Sequence, residues 1–367
     1  MSDVLYEIKS GVGLITLNRP RALNALSLSM VRDLTACLLA WRDTAEVLAV
    51  AIRGSHKEGV FGHFCAGGDI RFFHQAALAG DPSLEDFFTE EYTLNHLIHT
   101  YPKPYIAFMD GIVMGGGMGL SQGAAFRLVT ERTQMAMPET HIGLFPDVGG
   151  GYFLSRLTQA TGEFLALTGQ TLGAAEAVAV GLADGQVHSS QLPTLWDGLT
   201  HQPWADGAAL LHWLRSQVDT QKPPAPMWDH SGMQQVFALP SVAAMLDALA
   251  EMAQGTGPHA TWAQTTLDVL HHRSPLMLCV VLVQIRRARG LSLADDLRME
   301  RNMVRHCFHH RPVADSETVE GIRALAVDKD KQPKWKPQRV SEVDPAEVES
   351  FFNTPWPAHA HPLRGLA

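Results

Sequence analysis

Two carboxylates, Glu139 and Asp147, stand eight residues apart in an otherwise apolar, glycine-rich segment. An apolar neighbourhood raises the pKa of a carboxyl group, and a second carboxylate nearby drives the two pKa values further apart. Such a pair can supply both an acid and a base to one site. In the alternative, structural interpretation, Glu139 ends a strand and Asp147 forms a turn after Pro146.

Two glycine-rich turns, at residues 64–70 and 111–119, lie upstream of the carboxylates. Each follows a short apolar run, at 48–52 and 104–108, in the order strand, turn, helix. Glycine at a helix start leaves backbone N–H groups accessible, so two such turns can direct two donors at one oxygen and form an oxyanion hole. Close packing of helix against strand is the alternative. The spacing does not match a dinucleotide-binding fingerprint.

Histidine and serine suggest two competing kinds of chemistry. Residues 306–310 gather three histidines beside a cysteine, but they follow an arginine-rich helix pattern and precede Pro312. We interpret them as a surface cluster and predict no metal site. Ser121 stands without a nucleophile-elbow motif and lies one turn into the expected helix, so helix packing is favoured over nucleophilic catalysis.

Composition limits the class of protein. The chain has 367 residues, enough for a substantial core in one large domain or two unequal ones. Its four cysteines lack ligand-like spacing, the first residues run directly into a strand pattern, and no apolar run reaches membrane-spanning length. We therefore expect a cytoplasmic protein that does not bind membranes. A net charge of −9 disfavours nucleic acid as a partner.

The pattern of elements predicts an α/β fold with an extended, mostly helical C-terminal region. Short strand patterns alternate with helical ones in residues 1–200, the expected catalytic core, where Ser27 is a candidate N-cap. Proline-rich residues 201–235 are predicted as a linker region. Residues 236–345 form the helical region expected to pack on the core, and 346–367 a flexible tail.

Several motifs together resemble the crotonase (enoyl-CoA hydratase/isomerase) superfamily and, within it, the 3-hydroxyisobutyryl-CoA hydrolase subfamily. They lie at 13–26, 65–71, 114–121 and 138–152, with further similarity at 90–95 and 320–337. The resemblance implies a ββα superhelix with roughly perpendicular sheets. It also implies an acyl-CoA substrate, no separate cofactor, and a possible homo-oligomer.

The resemblance gives roles to particular residues. The backbone N–H groups of Gly68 and Gly116 match the family's oxyanion-hole donors. Hydratases carry one catalytic glutamate where this chain has Gly119, and a second that corresponds to Glu139. Asp147 stands where hydratases usually have glycine, and the hydrolase subfamily uses this aspartate together with the glutamate. Whether Glu139 is a nucleophile or a general base stays open.

The resemblance also predicts residues that bind the acyl-CoA. Arg21 is the first candidate for contact with the nucleotide phosphates, although it could equally be solvated surface. Where the family commonly has a lysine this chain has Gly62, and Lys57 in the preceding loop is the candidate to replace that lysine. His141 receives no catalytic role and is predicted to line a pocket. Further substrate or CoA contacts are predicted at Ala66, Gly67, Asp69, Gly115 and Gly117.

Three functions follow from these residues. The first is hydrolysis of a short 3-hydroxyacyl-CoA thioester, with 3-hydroxyisobutyryl-CoA of valine breakdown as the expected substrate. The second is hydration or isomerisation of an enoyl-CoA, which Gly119 disfavours. The third is acyl-CoA binding without catalysis, which the retained Glu139, Asp147 and glycine turns disfavour.

Overall fold

The computed structural model describes residues 2–57, 59–158, 160–221, 223–224, 226, 228 and 231–367. The strands are β1 (Val4–Lys9), β2 (Val12–Leu17), β3 (Ala49–Gly54), β4 (Tyr105–Met109), β5 (Ile112–Met114), β6 (Phe126–Thr130), β7 (Gln134–Ala136) and β8 (Gly185–Val187). The α-helices are α1 (Leu28–Arg42), α2 (Ile70–Ala79), α3 (Ser83–His99), α4 (Gly116–Gln122), α5 (Gly150–Leu154), α6 (Thr161–Thr168), α7 (Ala174–Val180), α8 (Leu192–Gly198), α9 (Gly207–Ser216), α10 (Ser231–Phe237), α11 (Val242–Gln254), α12 (Ala260–His271), α13 (Pro275–Ala288), α14 (Leu293–His309), α15 (Glu317–Ile322) and α16 (Pro345–Ser350). Short 3-10 turns lie at Pro20–Ala22, Glu139–Ile142, Ser189–Gln191, Val313–Asp315, Val340–Glu342 and Ala358–Ala360, and a π-helical turn at Arg323–Val327.

The strands form a six-stranded sheet and a two-stranded one. The larger sheet has the order β1-β2-β3-β4-β6-β8, in which β1 pairs antiparallel to β2 and the other neighbours are parallel. Strands β5 and β7 form the small parallel sheet. Strand β4 is buried at every position and reads as a continuous apolar run, as expected for a parallel strand covered on both faces.

Helix α1 shows how local sequence sets an element. Ser27 has extended backbone angles, and its hydroxyl accepts a hydrogen bond from the N–H of Met30, which caps the first turn. Val31, Leu34 and Leu38 follow at helical spacing and are buried. The predicted N-cap is therefore confirmed, and the buried face of α1 has the helical period.

Packing divides the chain into two units, each assembled from three segments. The first unit comprises Met1–Asp69, Glu90–Ala136 and Thr171–Ala225, and it contains both sheets. Its core covers the large sheet with side chains from β2, β3, β4, β6, α8 and α9, including Phe108, Phe126 and Trp196.

The second unit comprises Ile70–Thr89, Met137–Gln170 and Pro226–Ala367. It is built from helices, and α13 is buried along most of its length. In the described part of the chain no single helix is long and apolar enough to cross a membrane, whereas α12 and α13 together pass that test but meet at a bend of 109°. The predicted helical C-terminal region is confirmed by α11 to α14.

The predicted division into domains is tested by no comparison and stays a prediction. Two of its segments nevertheless hold more structure than the sequence suggested. The expected linker contains α9 and α10, although its residues 222, 225, 227, 229 and 230 lie outside the described part. In the expected tail, Leu363 is buried and the His361 imidazole lies 3.2 Å from the Asn302 side chain.

Candidate active site

The turn that carries Gly68 is held by its neighbours on both sides of that residue. The Leu26 N–H donates to the Gly67 carbonyl at 2.8 Å, and the Asp69 N–H donates to the Leu26 carbonyl at 3.0 Å. In a parallel bridge, one residue bonds to the groups on either side of its partner, here the Gly67 carbonyl and the Asp69 N–H. The partner between them, Gly68, directs its own N–H away from that residue. Gly67 has a φ of +102°, a conformation that side chains rarely adopt. The Gly68 N–H therefore points away from Leu26.

Gly116 is the first residue of α4, so its N–H has no partner within the helix. A Cβ placed on Gly116 would lie 3.4 Å from the Gly68 nitrogen, and one placed on Gly67 would lie 3.6 Å from the Gly116 nitrogen. The two turns are thus side by side within the first unit. The structure brings the two predicted donors together, in an arrangement suited to a single oxyanion.

A buried carboxylate from α3 lies beside these turns. The Oε1 atom of Glu91 is 2.6 Å from the position of a Cβ on Gly116, so a side chain at this position would displace the carboxylate. Asn95 follows one helical turn later and is also buried, and neither polar atom of its side chain has a hydrogen-bond partner among the described residues. Neither residue was assigned a role from the sequence. Glu91 and Asn95 lie at i and i+4 on the face of α3 that carries the buried Phe87 and Ile98, and polar residues on such a face are the signal that could have found them.

The residues that follow Gly116 serve the packing of α4. A Cβ on Gly117 would lie 2.4 Å from the Cys65 carbonyl oxygen, so the helix approaches the first turn closely. The Ser121 hydroxyl is buried and donates to the Gly117 carbonyl at 2.9 Å. Gly119, the position of a glutamate in hydratases, is buried in the same helix. Ser121 is therefore engaged by its own helix.

The residues predicted to bind CoA differ in exposure. Arg21 lies in the turn Pro20–Ala22 and is exposed, as is Lys57. Ala66 is half-buried, Gly67 and Gly115 are buried, and Asp69 forms an ion pair with Arg19 at 3.2 Å. Contact of these residues with CoA stays a prediction.

In the second unit, Glu139 begins a short 3-10 turn after Pro138. The turn ends at Gly143, whose φ is +63° and whose carbonyl accepts a hydrogen bond from the Thr318 hydroxyl at 2.7 Å. A Cβ at Gly143 would lie 2.5 Å from the Glu317 carbonyl oxygen, so α15 packs directly on this turn. The Glu139 carboxylate therefore lies on a turn that α15 holds in place.

Glu139 is 6% exposed, and its Oε2 atom has no hydrogen-bond partner in the described part of the chain. Burial raises the pKa of Glu139 well above its ordinary value, and the charge of Asp147 raises it further. Such a carboxyl can hold or accept a proton near neutral pH, as a general base requires. The structure thus couples the two predicted carboxylates electrostatically within one unit.

Asp147 is also buried, at 5% exposure, in a segment whose backbone is unusual. Its neighbour Val148 has a φ of +55°, which is an outlier for a β-branched residue. The Asp147 carbonyl accepts the Gly150 N–H at 2.7 Å, which closes a turn before α5. Strained residues of this kind persist where the surrounding structure holds them, often at functional sites.

Histidines of the second unit have structural partners. The Arg273 guanidinium contacts the His141 Nε2 atom, and burial together with this charge lowers the pKa of His141 to about 4. His306 contacts the Asn353 carbonyl at 2.8 Å, whereas His309 contacts the Glu85 carboxylate at 2.9 Å. Among the residues that the structure describes, no group of His, Cys, Asp and Glu could hold a metal.

Comparison with known proteins identifies the family. The model of the enoyl-CoA hydratase/isomerase family matches residues 12–352. The chain belongs to this family. Two of the relatives that follow are named as hydrolases, one as a dehydratase and one as a hydratase.

Among curated relatives of this chain, the 3-hydroxyisobutyryl-CoA hydrolase of Gallus gallus is 38% identical. The match covers 96% of this chain and 89% of the relative's length. The enzyme of the same name from Homo sapiens is 36% identical with the same coverage. Both names carry the word mitochondrial.

Solved structures of the family show the same fold. A carnitinyl-CoA dehydratase from Mycobacterium thermoresistibile superposes with a TM-score of 0.84 at 36% identity, over 97% of this chain and 98% of its own. An enoyl-CoA hydratase from Rhodobacter sphaeroides gives 0.81 at 34% identity, over 96% and 98%. The predicted family and fold class are confirmed, while the predicted site residues stay predictions.

Proposed function

We propose that this protein hydrolyses the thioester of a short 3-hydroxyacyl-CoA, with 3-hydroxyisobutyryl-CoA as the first candidate, and releases free CoA. The observation that carries the proposal is the buried pair of carboxylates at Glu139 and Asp147, in which one charge raises the pKa of the other group. The hydrolase names of the curated relatives support it.

Hydration of an enoyl-CoA is the second candidate, because the two solved structures of high similarity are titled as a dehydratase and a hydratase. The residues of this chain favour hydrolysis. Water addition by the hydratase arrangement needs a glutamate at the position of Gly119, which lies in α4. Asp147 instead supplies a carboxylate where hydratases usually have glycine.

The reaction needs two contributions at one thioester. The N–H groups of Gly68 and Gly116 hold the carbonyl oxygen and stabilise the negative charge that develops on it. Glu139 then either attacks the carbonyl carbon to form a mixed anhydride, which water cleaves, or removes a proton from an attacking water. Asp147 orients the water or the substrate hydroxyl and exchanges a proton. CoA leaves as the thiol in both routes.

The decisive experiment is a thiol-release assay on the purified protein with four compounds in parallel: 3-hydroxyisobutyryl-CoA, 3-hydroxypropionyl-CoA, crotonyl-CoA and free CoA. We expect thiol release from the two hydroxyacyl esters. Rapid hydration of crotonyl-CoA without thiol release would select the hydratase. Binding of all esters without turnover would select the non-catalytic acyl-CoA-binding protein. A burst of CoA stoichiometric with enzyme, ahead of free acid, would select the covalent route.

The remaining expectations are proposals as well. A place in valine breakdown follows from the first candidate substrate. We propose a cytoplasmic location, no nucleic-acid partner and no cofactor beyond the CoA of the substrate. Cell fractionation tests the location, and light scattering of the purified protein tests whether it forms a homo-oligomer.

A further inference from the structure

The segment that follows Asp147 is held by two carboxylates of α14. Glu300 accepts the Gly149 N–H at 2.8 Å with one oxygen and the Gly151 N–H at 2.9 Å with the other. Asp296, one helical turn earlier, accepts the Tyr152 N–H at 2.7 Å. Three backbone N–H groups within four residues are therefore bound by charge-assisted hydrogen bonds.

The glycines of this segment are required by that contact. Gly149 has a φ of +86°, and a Cβ on Gly151 would lie 2.5 Å from the Asp296 Oδ1 atom. The Gln284 side chain donates to the Pro146 carbonyl at 2.6 Å and lies 3.3 Å from the Glu300 carboxylate. Helices α13 and α14 thus hold the segment on both sides of Asp147.

The strain at Val148 shows that the conformation is imposed. A β-branched residue at a φ of +55° is maintained only when its surroundings determine it, and this residue directly follows Asp147. The bonds from Asp296 and Glu300 begin one residue later, at Gly149. Loss of these bonds would release the strain and allow Asp147 to move.

The two carboxyl groups of α14 are fully buried, which raises the pKa of both. Asp147 adds a charge that raises the pKa of Glu300, and Arg156 adds one that lowers the pKa of Asp296. Both oxygens of Glu300 accept N–H groups. A hydrogen bond from Glu300 lowers the pKa of Asp296, so the two buried carboxyl groups share a proton.

We propose that Asp296 and Glu300 are positioning residues for Asp147: a proton-sharing carboxyl pair that fixes the backbone after Asp147 and, through it, the direction of the Asp147 side chain. This inference rests on the proposed hydrolase function. It assigns a role in that reaction to two residues of α14, which act through the backbone that follows Asp147.

The test begins with Glu300→Gln, which keeps the shape but places an amide donor against one of the two N–H groups. We expect kcat to fall by about 10²-fold, the effect of misplacing a catalytic group by about 1 Å, while KM changes less than about threefold. Asp296→Asn keeps a donor toward Glu300 and should retain most of kcat, whereas Asp296→Leu should not. Glu163→Gln, another buried carboxyl of this unit, is the matched control and should leave kcat unchanged.

The double variant with Asp147→Asn separates positioning from a general structural effect. If Glu300 acts through Asp147, adding Glu300→Gln to Asp147→Asn should change kcat less than about twofold. A further loss as large as in the wild-type background overturns the inference, as does wild-type kcat in Glu300→Gln alone. Should Glu300→Gln fail to fold, Gly151→Ala gives the same test, because its Cβ displaces the Asp296 carboxyl.

Failure of the proposed function gives a different result. In that case the wild-type protein releases no thiol from the hydroxyacyl esters, and the variants cannot be ranked by kcat. Hydrogen exchange at the amides of Gly149, Gly151 and Tyr152 then still tests the contacts. Slow exchange in the wild type that is lost in Glu300→Gln supports them, and unchanged exchange refutes them.

Discussion

His141 offers a quantitative test of the electrostatics of the turn that carries Glu139. Its Nε2 atom accepts a hydrogen bond from the Arg273 guanidinium, so the imidazole is neutral with its proton on Nδ1. Burial, and then the charge of Arg273, lowers the pKa of His141 from 6.5 to about 4. Protonation breaks this contact and places two positive charges together.

The sign and size of the effect follow from linkage. Because the folded pKa lies below the unfolded value, the contribution to stability is complete above pH 6.5 and is lost as the pH falls toward 4. The difference of about 2.5 pKa units gives a loss of roughly 2 kcal/mol between pH 7.5 and pH 5, and roughly 3 kcal/mol by pH 4.

The assay is urea denaturation of the wild type and of His141→Asn across this pH range. Other groups titrate in both proteins, so the informative quantity is the difference in unfolding free energy between them. We expect this difference to change by about 2 kcal/mol in favour of the variant from pH 7.5 to pH 5. His201→Asn, at an exposed histidine, is the control. A difference that stays constant with pH would show that His141 is not held neutral by burial and Arg273.

Four further predictions concern the reaction and the stability of the protein. Glu139→Gln should lower kcat at least ~10²-fold while thioester binding is kept, and turnover within a few-fold of wild type would make the carboxylate structural. The same variant should be more stable than the wild type at pH 8 and not at pH 4, because an acid with a raised folded pKa loses stability as it ionises. Asp147→Gly should lose most thiol release but still bind CoA esters, and weakened binding in calorimetry would contradict this. A chelator should not change the rate of thiol release, whereas loss restored by zinc would point to a metal.

The sequence was sufficient for the local features of the fold. The Ser27 cap, the alternation of short strands with helices and the helices after residue 236 follow from short-range patterns, and the motifs identify the family and its fold. Helices α9 and α10 were missed, because nearby prolines suggested an irregular linker. The buried Leu363 was missed because a proline-rich end gives no sign of what it packs against.

For the candidate site, the sequence could predict Glu139 and Asp147 because they stand close together in an apolar segment. It could not predict Asp296 or Glu300, since both bind backbone groups that are distant in sequence. The Gly149 amide and its acceptor on Glu300 are 151 residues apart, and no local sequence pattern indicates a contact over that separation. Only the packed helices α13 and α14 show which side chains a Cβ at Gly149 or Gly151 would meet.

The same separation has a consequence for synthesis on the ribosome. The second unit takes its segments from 70–89, 137–170 and 226–367, so the segment with Glu139 and Asp147 is made long before its acceptors on α14. At a translation rate of about 5–20 residues per second, roughly 8–30 s pass between the synthesis of Gly149 and that of its acceptor Glu300. During that interval its glycines stay hydrated and its apolar residues lack their final neighbours. A nascent chain released before residue 300 should therefore be captured by chaperones or degraded, however complete its first unit is.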